Sequence, residues 1–320
     1  MSKSIFSAPQ FNDETAAYAF VEAHLWADGR VCPHCGVVDK SGALKGKSNR
    51  VGLYKCYACR KPFTVKVGTI FEDSHIATRD WLTAIHLICS SKKGISSNQL
   101  HRTLGITLKS AWFMAHRIRH AFGVTPGGMF GSGGGDVEID ETFIGRDPDA
   151  RPTPKHANPS WVEKIKVVSL VDRQSGRARS FVVDTLSAED LNPILSGNIA
   201  SEARLLSDEA KRYIGHGKKF RAHGSVNHSK DEYVSFEDPT VHTNTVEGFF
   251  SIFKRGMKGV YQHAAKRHMH RYLAEFDFRY SNRVALGIGD EGRAASALKG
   301  TVGKRLTYRT TDRQALMGDK

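Results

Sequence analysis

Val137-Glu138-Ile139-Asp140 and Arg204-Leu205-Leu206-Ser207-Asp208 are two short apolar runs, each closed by an aspartate. Further on, Val246, Phe249, Phe250, Phe253 and Met257 recur at the spacing of one buried helix face, with Glu247, Ser251, Lys254 and Arg255 on the opposite side. Such a charged side is ordinarily solvated. Two strand-end aspartates change its meaning, because Asp140, Asp208 and a helical Glu247 can together hold two divalent cations, with Lys254 as a phosphate-binding cation two turns on. Alternation along the first run puts Glu138 on the same face as Asp140 and keeps it as a second-choice ligand, while Glu141 and Glu209 point elsewhere or begin the next segment.

Working outward, strand-like runs at 137–139, 166–171 and 180–183 follow, the last two joined as a hairpin by the turn Gln174-Ser175-Gly176. A further run reaches Asp208 and leads into a helix through Tyr213. Residues 146–160 carry four prolines and no apolar period, which predicts a loop. Before the first run, residues 123–135 (GVTPGGMFGSGGG) read as a flexible linker and a domain boundary.

Upstream, Asn12 with Asp13 and Glu14 predicts a helix start, the helix running through Ala16 to about Trp26. Cys32-Pro-His-Cys35 and Cys56-Tyr-Ala-Cys59 stand twenty residues apart, the spacing of a four-thiolate zinc ribbon. Zinc supplies folding energy that so short a segment cannot obtain from a core. His34 lies between ligands as an exposed knuckle residue. Lys40, Lys45, Lys47, Arg50, Lys55, Arg60, Lys61 and Lys66 crowd this unit, suiting either phosphate contacts or a solvated basic face.

Trp81, Ala84, Ile85 and Ile88 then share a helical face, with Cys89 beside it as a buried small residue. Gly94-Ile95-Ser96-Ser97 opens a short helix to Leu104, and Thr107 caps a longer one whose Leu108, Ala111, Trp112, Ala115 and Ile118 form a stripe. Helix, Gly105-Ile106 turn and helix fit a helix-turn-helix, although a plain helical hairpin reads alike. Lys109, Ser110, Phe113, His116, Arg117 and Arg119 lie off the stripe, where groove and phosphate contacts would fall. Lys258, Lys266, Arg267, His270 and Arg271 continue the positive charge after Glu247, with no acid before Glu275, so that stretch is expected to face DNA together with Arg255.

Forty-seven basic against thirty-three acidic residues give a net charge of +14, which favours a polyanionic partner. A 40% hydrophobic fraction over 320 residues supports a core plus accessory units and excludes global disorder. No signal sequence or membrane span is evident, so a cytosolic protein is expected, where paired cysteines favour metal over disulfides.

Together, CPHCG, Tyr54-Lys-Cys-Tyr-Ala-Cys-Arg-Lys-Pro-Phe-Thr-Val, Gly68-Thr-Ile-Phe-Glu-Asp-Ser-His, Lys93-Gly-Ile-Ser-Ser-Asn-Gln-Leu, Ala111-Trp-Phe-Met-Ala-His-Arg-Ile, Ile139-Asp-Glu-Thr-Phe-Ile-Gly, Asn227-His-Ser and the long run from His242 through Glu247 to Gly256 resemble the IS1595 (ISXO2-like) insertion-sequence transposases over residues 15–285. The departures are Arg146 and the proline-rich loop after it. The resemblance implies an α/β, RNase H-like DDE catalytic domain preceded by a zinc ribbon and a helix-turn-helix-like region. The expected organisation is an N-terminal helix (1–28), zinc ribbon (29–70), DNA-binding helices (75–122), Gly-rich linker (123–135), catalytic domain (136–285) and basic tail (286–320). It implies a triad of Asp140, Asp208 and Glu247 binding two Mg²⁺ or Mn²⁺, Lys254 as the associated cation, and one structural zinc on Cys32, Cys35, Cys56 and Cys59. Lys109, Arg117, Arg119 and Arg255 are the candidate DNA contacts. Terminal inverted repeats and target DNA are the expected partners, bound by a homodimer or larger synaptic complex. His242 and Asn244 either position the DNA end or a metal water, or cap the helix. A DNA-binding regulator with a decayed catalytic domain and a structure-selective nuclease are the rival readings.

Overall fold

In the computed structural model, which describes residues 4–46, 49–123, 127–150, 163–208, 213, 215, 217–227 and 232–307, the first long helix is α1 (Glu14–Leu25). Its cap is Asp13, which accepts the Ala16 amide at 2.7 Å; Asn12 instead donates to the carbonyls of Phe6 and Ala8. Three short antiparallel strands follow, β1 (Ser41–Ala43), β2 (Tyr54–Cys56) and β3 (Pro62–Phe63). Then come α2 (Thr78–Ser90), α3 (Ser97–Leu104) and α4 (Leu108–Phe122). The first amides of α2 have no side chain of their own to cap them and are taken by Glu14, which accepts from Thr78 at 2.7 Å and Arg79 at 3.2 Å. Ser96 and Thr107 cap α3 and α4, and Gly105, at φ 66°, ends α3 in the left-handed region.

The chain divides into two compact units, one of Met1–Ser91, Ile95–Gly123 and Asp290–Lys320, the other of Lys92–Gly94 and Val124–Gly289. The first unit therefore includes a returning segment that reads in the sequence as a basic tail. Residues Asp290–Lys299 are a helix, here called α8, that packs on α1, α2 and α4 with Ala297 and Leu298 buried. Arg293 ties it down by donating to the carbonyl of Cys89 at 2.9 Å, and Cys89 is itself buried, as expected.

The second unit is built on a five-stranded sheet of β4 (Asp136–Ile144), β5 (Ile165–Asp172), β6 (Arg177–Val183), β7 (Arg204–Asp208) and β8 (Ala222–Val226), in the order β6-β5-β4-β7-β8. The first three strands pair antiparallel, and β4, β7 and β8 run parallel. The β5–β6 hairpin turns at Gly176, φ 66°. Every residue of β5 is buried, because helices cover both faces. On one side α6 (Asn244–Gly256) and α7 (Lys266–Ser281) pack Val246, Phe249, Phe253, Leu273 and Phe276 against Ile144, Ile165, Val167 and Val171. On the other, Leu191 and Leu195 of α5 (Ala188–Asn198) and Tyr213 meet Val137, Ile139, Val168 and Leu170.

Two expectations are corrected. Asp140 lies in the middle of β4, since antiparallel pairing with β5 continues from Val137↔Asp172 to Ile144↔Ile165. The glycine-rich stretch is also more ordered than a free linker: Phe130 is buried, its amide donates to Asn198 O at 2.7 Å, its carbonyl accepts from Ala200, and Gly131 N–H reaches Asp172 at 3.1 Å. A single aromatic anchor thus overrides the low propensity around it. Residues 124–126, most of the proline-rich loop (151–162), Lys47, Glu209 and the end of the tail lie outside the described residues.

Phe130→Ala is expected to destabilise the second unit by about 3–5 kcal/mol, read as a lowered urea midpoint with unchanged folded circular dichroism.

Candidate functional site

The two cysteine pairs meet at the end of the β1–β3 sheet. Cys32 Sγ lies 3.7 Å from Cys59 Sγ, and Cys35 Sγ 3.7 Å from Cys56 Sγ. All four sulfurs fall within 4.8 Å of one another. A tetrahedral zinc with Zn–S of about 2.3 Å places neighbouring sulfurs about 3.8 Å apart, so this set is sized for the ion. The two knuckles repeat one backbone pattern: Cys32 N–H donates to Val37 O and Cys56 N–H to Lys61 O, while Gly36 (φ 74°) and Arg60 (φ 61°) both turn left-handed after the second cysteine. The backbone N–H of Cys59, reinforced by that of Ala58, brings the Cys56 thiol down to about 7, against the effect of burial. At Cys35 the Val37 N–H acts in the lowering direction, but burial and the three neighbouring sulfurs push it up to about 11. Thiols that hold one another's protons in this way are a set a divalent cation would discharge. His34 is exposed and bonds the Pro62 carbonyl at 3.2 Å, away from the ligand set. Lys66 is half-buried, its ammonium reaching Ile76 O, whereas Lys40, Lys45, Arg50, Lys55, Arg60 and Lys61 are exposed.

In the second unit, β4 presents Glu138, Asp140, Thr142 and Ile144 to the side that α6 covers. Asp140 and Asp208 each lie two residues beyond Glu138↔Leu206, the last parallel pair of β4 with β7, so they face each other across adjacent strands. Glu247 stands in the first turn of α6, where the Thr243 hydroxyl donates to its Oε1 at 2.9 Å. Burial, then the charges of Glu141, Asp208 and Glu247, push Asp140 up to about 8, although the Glu141 amide, donating at 2.7 Å, pulls the other way. The three carboxylates are thus within electrostatic reach of one another. Among the described residues they do not close into one cluster as the cysteines do. A pair of ions about 3.5–4 Å apart spans more than one coordination sphere, and hard oxygen donors that repel one another fit Mg²⁺ or Mn²⁺.

Glu138, the second-choice ligand, is otherwise engaged. It is fully buried, with Oε1 2.5 Å from Arg173 Nε and Oε2 accepting the Val246 amide at 2.8 Å. Arg173 continues to the Thr240 carbonyl, the His242 carbonyl and His242 Nδ1. His242 therefore braces the approach to α6, and burial, followed by the Arg173 charge, holds its pKa below the ordinary histidine range. Thr243 occupies the cap position without capping, its hydroxyl being spent on Glu247; Asn244 is the first helical residue. Arg204 grips Asp136 through two bonds, at 2.8 and 2.6 Å, and reaches Asp238, joining the starts of β4 and β7. Glu141 points to the opposite side and accepts from Tyr213 at 2.6 Å. Arg173 and Arg204 escape a sequence reading because their partners Glu138 and Asp136 lie far away in the chain, whereas Thr243 acts on Glu247 only four residues on.

Lys254 and Arg255 are exposed on α6, Arg255 folding back onto Ser251. Lys109 is exposed at the start of α4. Arg117 and Arg119 are not on an open face: both are buried, and Arg117 donates to the carbonyls of Ile70, Glu72 and Leu306. His116 is buried too, whereas Leu108, expected on the apolar stripe, is 45% exposed. Lys266 is drawn into ion pairs with Asp147 and Asp184 at 3.0 and 2.7 Å. Among the described residues no helix is long and apolar enough to cross a membrane.

Residues 133–281 match the family described as the ISXO2-like transposase domain, and residues 12–62 match the transposase zinc-ribbon domain of the IS1595 group. The chain is also similar to a Halobacterium salinarum protein described as an uncharacterized protein in transposable element ISH50, with 24% identity over 282 residues, 84% of this chain and 91% of that one.

Because Asp140 has a folded pKa near 8 against an ordinary value of 3.8, folding is opposed as pH rises from about 4 and most strongly above 8. Asp140→Asn in EDTA is therefore expected to raise the Tm at pH 9 by about 4 °C or more, with the gain vanishing near pH 4. Mg²⁺ should raise the wild-type Tm and leave that of Asp140→Asn nearly unmoved. Purified protein should carry one zinc per chain, and Cys56→Ser should lose it and lower the Tm, as measured by metal analysis and calorimetry.

Proposed function

Since the chain belongs to the ISXO2-like transposases of the IS1595 family, we propose that its second unit is an RNase H-like DDE domain that cuts the ends of its element and joins them to target DNA. The observation that carries this reading is the convergence of charge on Asp140 from Asp208 and Glu247, carboxylates supplied by a neighbouring strand and a covering helix. The sheet order β6-β5-β4-β7-β8, which puts Asp140 on the central strand and Asp208 on its parallel neighbour, supports it.

Asp140, Asp208 and Glu247 would hold Mg²⁺ or Mn²⁺. Bound there, the ions supply activation of a water or a 3′-hydroxyl and neutralise charge at the scissile phosphate. Thr243 fixes the rotamer of Glu247, and the Glu138–Arg173 pair sets the helix that bears it. Lys254 offers a point charge to a phosphate on the same helix face. The zinc ribbon and the α3–α4 pair, with Lys109 exposed, take the role of binding terminal inverted repeats. Handling two ends together calls for a homodimer or larger synaptic complex, acting on cytoplasmic DNA.

The test uses the full chain with linear DNA bearing its own element ends and a plasmid target, in Mg²⁺ or EDTA, followed by sequencing of the products. Metal-dependent joining of 3′ ends is expected. Asp140→Ala and Glu247→Gln should each lower cleavage by at least about a hundredfold while end binding stays within about twofold. Loss of binding and cleavage together in a folded variant would count against the assignment. Cutting without joining would point to a nuclease, and binding alone, in protein that retains zinc, to a regulator.

A further inference from the structure

Between α6 and α7 the backbone adopts a conformation that L residues rarely take. The π-helical turn Met257–Tyr261 closes as Gln262 N–H donates to Met257 O at 2.7 Å, and His263 N–H then donates to Tyr261 O at 2.6 Å. Gln262, in between, has φ 52° and ψ −63°. This is a γ-turn of the left-handed kind, rare and strained, and it directly follows a π-turn, a feature frequent at functional sites. Glycine would hold the same turn without strain, so a connection with no other duty would carry glycine here.

The surroundings enforce the conformation. The Tyr261 hydroxyl donates to the buried Glu275 at 2.5 Å, and its ring meets Tyr272 and Phe276 with centroids 4.9 and 6.2 Å away. Gly256, where the π-turn begins, has no room for a Cβ: one would stand 2.4 Å from the Phe276 ring and 2.6 Å from Lys93 O. The turn is thus locked from behind, while Gln262 and His263 are exposed in front.

They stand at the end of an exposed ridge. Ser251, Lys254, Arg255, Lys258 and Gly259 are exposed along α6 and the π-turn, and Arg267 and His270 are exposed on α7 beyond. No acid interrupts the sequence between Glu247 and Glu275. Lysines and arginines along such a ridge hold phosphates but read no sequence. An amide side chain offers a donor and an acceptor side by side, the pair that matches adenine N7 and N6 in the major groove.

We propose that the Gln262–His263 turn is a base-reading contact for the duplex end of this chain's own element, with Lys254, Arg255 and Lys258 holding the backbone beside it. The inference rests on the transposase reading and adds to it a residue that sets specificity. At about 1.5 Å per helical residue, the turn lies less than one duplex turn, about 34 Å, from Glu247, so the bases read belong to the first ten or so pairs of the element.

The experiment compares wild type, Gln262→Ala, Gln262→Gly and Lys258→Ala, each as the full chain with zinc. Competition binding measures preference for the native end duplex over one with the first ten pairs scrambled, and metal-dependent end cleavage and Tm are followed alongside. Both Gln262 variants should lose about tenfold in preference while affinity for the scrambled duplex stays within about twofold. Gln262→Gly should also raise the Tm by about 2–4 °C, separating relief of strain from loss of reading. Lys258→Ala should weaken both duplexes alike. Wild-type cleavage with undiminished preference in both Gln262 variants would overturn the inference and leave the transposase reading standing. Absence of both preference and cleavage in wild type would overturn the two together.

Discussion

A carboxylate with no exposed surface is costly to bury without a partner, and the way Glu138 meets that demand positions the rest of the second unit. One oxygen takes the Arg173 guanidinium and the other the Val246 amide. Glu138 is two residues from Asp140 on the same face of β4, and Val246 immediately precedes Glu247. Glu138, anchored by that ion pair, therefore links the strand acid to the helix acid through the Val246 hydrogen bond and very short lengths of backbone. Displacing α6 from β4 would leave one oxygen of a fully buried carboxylate without its donor, which costs about 1–3 kcal/mol. Arg173 spends its remaining donors on Thr240 and His242, extending the same constraint into the chain that enters α6.

Two carboxylates on one face of one strand are thus treated in opposite ways. Glu138 is matched by a cation supplied by the fold. The charges that raise Asp140 are all carboxylates, those of Glu141, Asp208 and Glu247. A protein under selection for stability alone would neutralise or replace such a group. Retaining it makes sense where an ion from solution completes the site, and the rigid pairing beneath it keeps mutual repulsion from being relieved by moving α6 away. The zinc ribbon meets a comparable problem by a different route, with four sulfurs drawn to a tetrahedral spacing by two backbone knuckles.

Much of this was legible in the sequence where the signal was local. The cysteine spacing, the α6 stripe, the β5–β6 turn at Gly176 and the caps Ser96 and Thr107 each depend on residues close in the chain. Elements whose stability comes from distant partners were not legible. Strand β8, Ala-His-Gly-Ser-Val, has no apolar run and is held at the sheet edge by parallel pairing with β7. Helix α7 turns Glu275 and Arg279 inward as a buried pair, and the half-buried Asp277 accepts from Ser180 N–H and Oγ at 2.8 and 2.6 Å, so its inner face does not look hydrophobic. Helix α5 contains Pro193, and α8 offers little apolar surface beyond alanines and Leu298.

The same distinction decides what the surplus of positive charge can do. A count of +14 treats every lysine and arginine as a surface charge. Arg117 instead collects three carbonyls, Arg293 holds α8, Arg173 and Arg204 brace the sheet, and Lys266 joins Asp147 and Asp184. Guanidinium groups suit such internal work because a planar fork can satisfy several acceptors at once. Among the lysines and arginines that stay exposed are Lys40, Lys55 and Lys61 on the zinc ribbon and Lys254, Arg255 and Lys258 on the α6 ridge that begins beside Glu247. Charge left exposed beside three mutually repelling carboxylates favours the approach of a polyanion to them. The placement of exposed charge, more than its count, decides where a polyanion is drawn.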